Sequence, residues 1–308
     1  MISRRNIRIK VMQALYSIDS MGGELQQADV IRLLEKKTEE SRRLFIYLLY
    51  FITETARYAE LDARQRASKN LPTAEDLAVN TKIAGNEIVW KIVENSGFVK
   101  AVNDYQLKQI INAELLRKVY AELVESNEYK EYISLQERNK SSEKEILEYI
   151  FNSLMLQHEL FISHIEEHFI NWDDDAEMMQ QLVINFLQKP NWNFGEIITK
   201  DKMDFARQLL QTVLDKKETS MELIKPKLRG WDSERIATLD LIILQMGVCE
   251  LLFFETIPTK VTINEYIDLA KEYSTPQSGQ FVNGLLDNIH KELLAQDKIH
   301  KINFKTGA

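Results

Sequence analysis

The fold is decided by residues 229–293, which read RGWDSERIATLDLIILQMGVCELLFFETIPTKVTINEYIDLAKEYSTPQSGQFVNGLLDNIHKEL. Apolar residues recur through this segment at the three- and four-residue spacing of helices, and polar stretches containing Pro or Gly separate the apolar runs. The pattern predicts three helices with short connections between them. Their expected ranges are about 232–254, 260–273 and 277–295.

The composition of the whole chain favours the same fold class. Ten Gly and five Pro are few among 308 residues, whereas Leu, Ile, Glu, Lys and Gln are plentiful. Such a composition favours long helices joined by short connections. A chain of this length also exceeds what one hydrophobic core usually holds. We therefore predict an all-α protein of two packed helical bundles.

Helical spacing continues outside this segment. Ser3 is expected to cap a first helix that runs to about Ser20, with Ile7, Val11, Ala14, Leu15 and Ile18 as its buried stripe. Further helices are predicted over about 41–67, 107–134, 143–170, 174–188, 201–215 and 217–228. Residues 70–108 mix short apolar clusters with Gly and Asn, which predicts a partly ordered crossover that carries at most a short helix or hairpin.

The cysteine content and the lack of long apolar stretches indicate a compartment. The single cysteine, Cys249, lies in an apolar run, and we interpret it as a buried, inert thiol in a reducing environment. No stretch reaches the roughly 18 to 20 apolar residues of a membrane span, and the N-terminus lacks the apolar core of a signal peptide. We expect a cytoplasmic protein with no membrane contact.

The charge pattern limits any contact with nucleic acid to a small area. A formal net charge of −8 argues against non-specific coating of nucleic acid. The first ten residues nevertheless carry Arg4, Arg5, Arg8 and Lys10 and no acid. A solvated helix start is the simpler interpretation of these cations. Cations at a helix N-terminus oppose the helix dipole, however, which favours a functional reason for them.

Specific motifs stand in both the C-terminal segment and the first helix. WDSERI precedes a buried helix, and ELLFFETIPTKVTINEYIDLAK and SGQFVNGLLD follow it. RRNIRIKVMQALYS opens the chain with an arginine-rich helix start. In order and spacing these motifs resemble the NusB family of bacterial transcription antitermination factors. The resemblance covers roughly residues 3–20 and 198–295. An insertion of about 170 residues, roughly 25–197, separates the two parts.

The resemblance implies a domain organisation and a function. Residues 1–196 would form an N-terminal helical subdomain with the basic first helix and the insertion, and residues 197–308 a NusB-like C-terminal helical subdomain. Members of the family pair with the ribosomal protein NusE and bind the boxA element of nascent RNA. The complex helps RNA polymerase read through terminators, notably in ribosomal RNA operons. No reaction is catalysed and no cofactor is implied, while homo-oligomerisation stays open.

The resemblance also implies RNA-binding residues at both ends of the chain. In the first helix they are Arg4, Arg5, Arg8, Lys10 and Tyr16, and near the last helix they are Gln277, Ser278, Gln280, Phe281 and Asn283. Arginine pairs with phosphates or guanine edges, and aromatic rings stack on bases. Core packing is the competing interpretation for Tyr16 and Phe281. Gln280 stands where the family often has a basic residue. The two segments are expected to be neighbours in space.

Three other interpretations compete with an RNA-binding function. His164-Ile165-Glu166-Glu167-His168 matches the H-x-x-E-H pattern of zinc peptidases, but so short a motif arises easily by chance, and we assign no catalytic or metal-binding residue. An RNA methyltransferase with a NusB-like domain would need a Gly-rich cofactor turn, and no G-x-G spacing occurs. A helical scaffold that binds only proteins is the third alternative, modestly supported by the acidic charge.

Overall fold

The computed structural model describes residues 2–22, 27–190, 192–228 and 236–302, and within these ranges it contains no strand. The α-helices are α1 (Arg4–Ser20), α2 (Gln27–Ala67), α3 (Ala74–Leu77), α4 (Glu87–Val93), α5 (Ser96–Asp104), α6 (Leu107–Ile110), α7 (Ala113–Glu125), α8 (Asn127–Ser134), α9 (Lys140–Tyr149), α10 (Glu159–His168), α11 (Trp172–Gln188), α12 (Lys200–Asp215), α13 (Lys217–Ile224), α14 (Thr238–Phe253), α15 (Thr259–Tyr273) and α16 (Ser278–Ala295). Short 3-10 turns occur at Lys82–Gly85 and Lys225–Leu228, and a π-helical turn at Ile150–Met155. The predicted all-α fold class is confirmed. Each helix in the described part of the chain is too short or too polar to span a lipid bilayer.

Two compact units make up the chain. The inserted unit consists of residues 39–197, and the terminal unit joins residues 2–38 to the described residues from 198 onward. This division differs from the predicted subdomains 1–196 and 197–308, because α1 groups with the C-terminal helices. The physical reason is that α1 packs against α12 and α14 of the terminal unit.

Helix α1 begins and ends as its sequence predicts. The Ser3 hydroxyl accepts the backbone N–H of Asn6 at 3.2 Å, which satisfies one of the unpaired donors at the helix start. Beyond the helix end, Gly22 adopts a positive φ of 87°, a conformation that glycine tolerates without strain. The predicted stripe of Ile7, Val11, Ala14, Leu15 and Ile18 is buried. Residues 7–15 are in fact buried without exception, so α1 is enclosed on all sides over two turns.

Helix α14 forms the core of the terminal unit. Its residues from Ile242 to Leu251 are all buried, and α12, α13, α15 and α16 pack around it. Gly247 permits a close approach of α16, since a Cβ atom there would lie 2.9 Å from the Leu286 side chain on that helix. Cys249 is buried as predicted, and burial raises the pKa of its thiol to about 12, so the thiol is unreactive near neutral pH.

Helix α2 is longer than its predicted range of 41–67 and begins at Gln27. Val30, Leu34 and Thr38 follow one another at four-residue spacing and are all buried. Polar Thr38 takes a core position because its hydroxyl donates to the backbone carbonyl of Leu34 at 2.5 Å. A stripe that includes such a polar residue is easily missed by a search for apolar periodicity.

Residues 70–108 of the inserted unit are more ordered than predicted. Instead of a partly ordered crossover, they form α3, a 3-10 turn, α4, α5 and the start of α6. Thr73 and Asp76 form a reciprocal capping box at the start of α3. The side chains of Asn86 and Asn95 accept backbone N–H groups at the starts of α4 and α5. The Asn residues taken as loop signals therefore mark helix starts.

Candidate nucleic-acid interface

Arg8, predicted as an exposed RNA contact, is buried in the terminal unit with only 2% of its side chain exposed. Its Nε and Nη2 atoms donate to the two carboxylate oxygens of Glu250 on α14, each at 2.8 Å. This bidentate pairing is the strongest hydrogen-bonding geometry between an arginine and a carboxylate. The predicted exposure of Arg8 is therefore wrong, because its side chain joins α1 to α14.

The carboxylate of Glu250 is surrounded by donors. Besides Arg8, the hydroxyls of Thr262 and Tyr266 on α15 donate to it at 2.9 and 3.0 Å. Burial by itself lowers the pKa of Arg8, but the hydrogen bond to Glu250 and the electrostatic effects of Tyr266, Glu250 and Glu265 together keep that pKa above its ordinary value. Burial also raises the pKa of Tyr266 well above its ordinary value. The network joins α1, α14 and α15 around a compensated pair of charges.

Lys10 is likewise withdrawn from solvent. Only 1% of its surface is exposed, and its Nζ donates to the side-chain carbonyl of Gln13 at 3.2 Å. Lys10 is therefore not exposed for the RNA contact that was expected of it. A helix lying on the surface would keep such a cation outside, whereas α1 is enclosed at this turn.

Arg4 and Arg5, in the first turn of α1, remain accessible. Arg4 is exposed, with its guanidinium carbon 5.6 Å from the centre of the Phe205 ring, and it forms no ion pair within the described ranges. Arg5 keeps 37% of its side chain exposed and donates to Asp268 at 3.3 Å and Glu272 at 2.9 Å. Exposed ion pairs of this kind are weak, so a phosphate can replace the carboxylates as partner of Arg5.

Tyr16 also remains accessible, with 48% of its surface exposed. It follows Arg5 by eleven positions, which places it on the same side of α1 within about 20°, roughly 16 Å further along the helix axis. Met12 lies between them and is buried. The ring is therefore free to stack on a base, but at some distance from the arginines.

Two of the residues predicted at α16 are buried. Ser278 is 1% exposed, and its hydroxyl donates to the Asp240 carboxylate at the start of α14, at 2.7 Å. Phe281 is 8% exposed and belongs to the buried face of α16. Neither side chain is therefore exposed for the predicted contact with RNA, because this face of α16 packs on α14 and α15.

The opposite face of α16 is exposed at its start. Gln277, Gln280 and Asn283 all present their amide side chains to solvent. The backbone N–H groups of Ser278, Gln280 and Phe281 donate to the carbonyls of Thr275 and Gln277 at 2.9 to 3.1 Å. Those three N–H groups are therefore already used, so the amide side chains are the available donors on this face.

Helix α15 connects the accessible parts of α1 and α16. Arg5 of α1 contacts Asp268 and Glu272 in the C-terminal half of α15. The aliphatic part of the Lys271 side chain, also on α15, packs over Gly279 of α16, where an added Cβ atom would lie 2.5 Å from the Cγ of Lys271. Lys271 pairs with Asp268 at 3.6 Å and keeps 62% of its side chain exposed. Both predicted segments thus border the same end of α15.

Lys271 is a site residue that the sequence analysis missed. Gly279 is the one available signal, since a glycine early in a helix permits close approach of a neighbour. The candidate RNA surface consists of the accessible residues around this end of α15, together with exposed Tyr16 further along α1. They are Arg4, Arg5, Tyr16, Lys271, Gln277, Gln280 and Asn283.

Known proteins resemble the C-terminal part of the chain. The NusB family model matches residues 159–291. The match begins in α10 of the inserted unit, earlier than residue 198, where the sequence resemblance begins. It does not include residues 3–20, so the likeness of the first helix to the family stays a prediction. The WDSERI motif lies mostly outside the described residues.

Several curated relatives carry the name transcription antitermination protein NusB. The protein from Salinibacter ruber is 43% identical over 98 residues, which is 32% of this chain and 61% of the relative. That from Methylacidiphilum infernorum is 40% identical over 33% of this chain and 70% of the relative. That from Thermodesulfovibrio yellowstonii is 36% identical over 37% and 78%. No solved structure matches the chain. The extent and identity of the matches show that the chain belongs to the NusB family.

Proposed function

We propose that the terminal unit binds a boxA-like single strand of RNA and acts, with the ribosomal protein NusE, in transcription antitermination by RNA polymerase, notably at ribosomal RNA operons. The observation that carries the proposal is the candidate RNA surface itself. It places accessible cations of α1 and exposed amides of α16 around one end of α15. The names of the curated relatives support the same role.

The chemistry of the surface suits a single strand. The guanidinium groups of Arg4 and Arg5 and the ammonium group of Lys271 bind phosphates. The amides of Gln277, Gln280 and Asn283 both donate and accept, as recognition of unpaired base edges requires. Exposed Tyr16 offers a stacking face further along α1. A net charge of −8 keeps the contact local to these cations.

The buried network beneath the surface positions the arginines. Arg8 lies one turn after Arg4 and Arg5 and is clamped to Glu250, while Thr262 and Tyr266 hold that carboxylate. The first turn of α1 is therefore fixed relative to α15 before RNA arrives. Such preorganisation lowers the entropic cost of binding.

Our proposal includes no catalysed reaction and no cofactor, and it places the protein in the cytoplasm, where transcription occurs in bacteria. A module of an RNA methyltransferase system and a scaffold that binds only proteins are the competing functions. A scaffold would bind NusE without binding RNA, so the cations of the candidate RNA surface would not contribute to its function. RNA affinity with NusE present therefore separates the scaffold from the proposed function.

The test is a titration of fluorescent boxA-like RNA with the full chain, alone and with NusE, against an RNA of scrambled sequence. The variant Arg4→Ala/Arg5→Ala removes both accessible arginines. Arg207→Ala is the matched control, because Arg207 also belongs to the terminal unit, is 42% exposed and pairs with the carboxylates of Glu35 and Asp204.

The expected result is preferential binding of the boxA-like RNA, tighter with NusE. The double variant should lose about tenfold or more in affinity, which corresponds to about 1.4 kcal/mol. Arg207→Ala should bind like the unaltered protein. Equal affinity for both RNAs, or for both variants, would contradict the proposed surface.

A further inference from the structure

Helix α10 in the inserted unit gathers three groups that bind metals. His164, Glu167 and His168 each offer one ligand atom, and these atoms all lie within 4.8 Å of one another. Residues three and four positions apart on a helix share one face, which explains why the three side chains converge. None of these residues belongs to the candidate RNA surface.

A backbone hydrogen bond sets the tautomer of His168. Its Nδ1 lies 2.9 Å from the backbone carbonyl of His164. A carbonyl only accepts hydrogen bonds, so Nδ1 carries the proton and Nε2 keeps its lone pair free. Metal-ligating histidines usually have this arrangement, in which the second ring nitrogen donates to a carbonyl or carboxylate.

His164 also has a supporting partner. Its Nε2 lies 2.6 Å from the hydroxyl of Tyr47 on α2, and both side chains are buried. A tyrosine hydroxyl can accept as well as donate. When it accepts the Nε2 proton, the Nδ1 atom of His164 carries a lone pair. The ring is thus held in place by a partner compatible with ligation.

The cluster opens to solvent on one side. Glu167 is exposed and His168 half-buried, whereas His164 is buried. Beside it lies a hollow of about 130 Å³, lined in part by Glu167, His168, Glu40 and Arg43. The guanidinium of Arg43 lies 5.0 Å from the centre of the Phe169 ring, and Glu40 accepts a hydrogen bond from Asn171 at 2.7 Å. The hollow gives an ion access to Glu167 and His168 from solvent, and the ligand atom of buried His164 lies within 4.8 Å of theirs.

We propose that His164, Glu167 and His168 bind a zinc ion and leave its fourth coordination position to water. Two imidazoles and one carboxylate are a ligand set that zinc accepts, and zinc sites with three protein ligands keep an open position. Calcium and magnesium are disfavoured because they prefer oxygen ligands throughout. This site goes beyond the sequence-based expectation, in which no metal was assigned.

The test is calorimetric titration of the metal-free full chain with Zn²⁺, together with the visible spectrum of the Co²⁺-loaded chain. His168→Gln and Glu167→Gln each remove one ligand. Glu166→Gln is the matched control for the carboxylate, since Glu166 is the exposed neighbour outside the cluster, and His300→Gln is the control for an exposed histidine. Circular dichroism reports whether each variant is folded.

The expected result is one equivalent of Zn²⁺ and a Co²⁺ spectrum of tetrahedral type. Each ligand variant should weaken Zn²⁺ binding by more than about tenfold, which is the lower end of what losing an outer-shell partner costs. The two control variants should bind like the unaltered chain. No stoichiometric binding, or equal binding in the folded ligand variants and the controls, would overturn the site. Glu167→Gln keeps the test decisive if His168→Gln does not fold, because Glu167 is exposed.

Discussion

The first turn of α1 and the turn that follows it carry the same kind of residue in opposite surroundings. Arg4 and Arg5 stay accessible, whereas Arg8 is 2% exposed and bound to Glu250 through two hydrogen bonds. Helix α16 shows the same division between accessible Gln280 and buried Phe281. Residue type alone therefore does not separate a ligand contact from a core contact.

Replacing the buried arginine should have the largest effect on stability. Arg8→Ala leaves Glu250 buried without its countercharge, which typically costs about 3 to 5 kcal/mol of unfolding free energy. The measurement is chemical denaturation, with Arg5→Ala as the control in the neighbouring turn. Arg5→Ala should cost at most about 1 kcal/mol, because its ion pairs are exposed. Similar losses of unfolding free energy in the two variants would contradict the assignment of Arg8 to the core and Arg5 to the surface.

Phe281→Ala applies the same distinction to α16. Since Phe281 is 8% exposed, the substitution should lower the unfolding free energy by about 3 kcal/mol, the lower end of the usual cost for a buried phenylalanine. RNA affinity should stay unchanged while the variant is folded. A stable Phe281→Ala protein with weakened RNA binding would instead indicate a stacking role.

Ser278→Ala should have a smaller effect of about 1.5 to 3 kcal/mol, the usual value of a hydrogen bond to a charged group. The substitution removes the 2.7 Å hydrogen bond to the Asp240 carboxylate, whose other oxygen accepts no hydrogen bond from the residues that the structure describes. Thermal unfolding with Ser274→Ala in parallel measures the difference. Weaker RNA binding without loss of stability would instead indicate that Ser278 contacts RNA.

Gln280→Lys should give the smallest change. It adds a cation to the accessible face of α16, next in sequence to Gly279, over which Lys271 of α15 packs. One new phosphate contact would raise the magnitude of the salt slope of RNA binding by about 0.7. Placing a cation near a helix N-terminus should cost about 0.3 to 1 kcal/mol of stability. A salt titration of RNA binding detects the gain, and an unchanged slope would place Gln280 outside the bound strand.

Local signals in the sequence predict α1 and the helices of the C-terminal segment, while contacts between residues far apart in the sequence are not predicted. The cap at Ser3 and the stripe through Val11 depend on residues a few positions apart, and both are present. The burial of Arg8 depends on Glu250, which is 242 positions away. The sequence signal for that pair is an acid in the second half of the mostly apolar α14, since a buried acid requires a partner.

The site itself was predictable only in part for the same reason. Two of the predicted contacts on α1, Arg8 and Lys10, proved to be buried because α1 is enclosed, and spacing within one helix does not show what encloses it. The sequence does not predict Lys271 as part of the candidate RNA surface, because its contact with Gly279 depends on how α15 and α16 pack.

If RNA binds at the first turn of α1, as we propose, the salt dependence of RNA affinity must change when the arginines of that turn are removed. The unaltered chain, Arg4→Ala/Arg5→Ala and Arg207→Ala are titrated with boxA-like RNA and NusE over a range of salt concentrations. Each phosphate contact to a single strand contributes about 0.7 to the slope of log affinity against log salt, so the double variant should lose about 1.4. Arg207→Ala should keep the full slope. Identical slopes in all three proteins would contradict the claim.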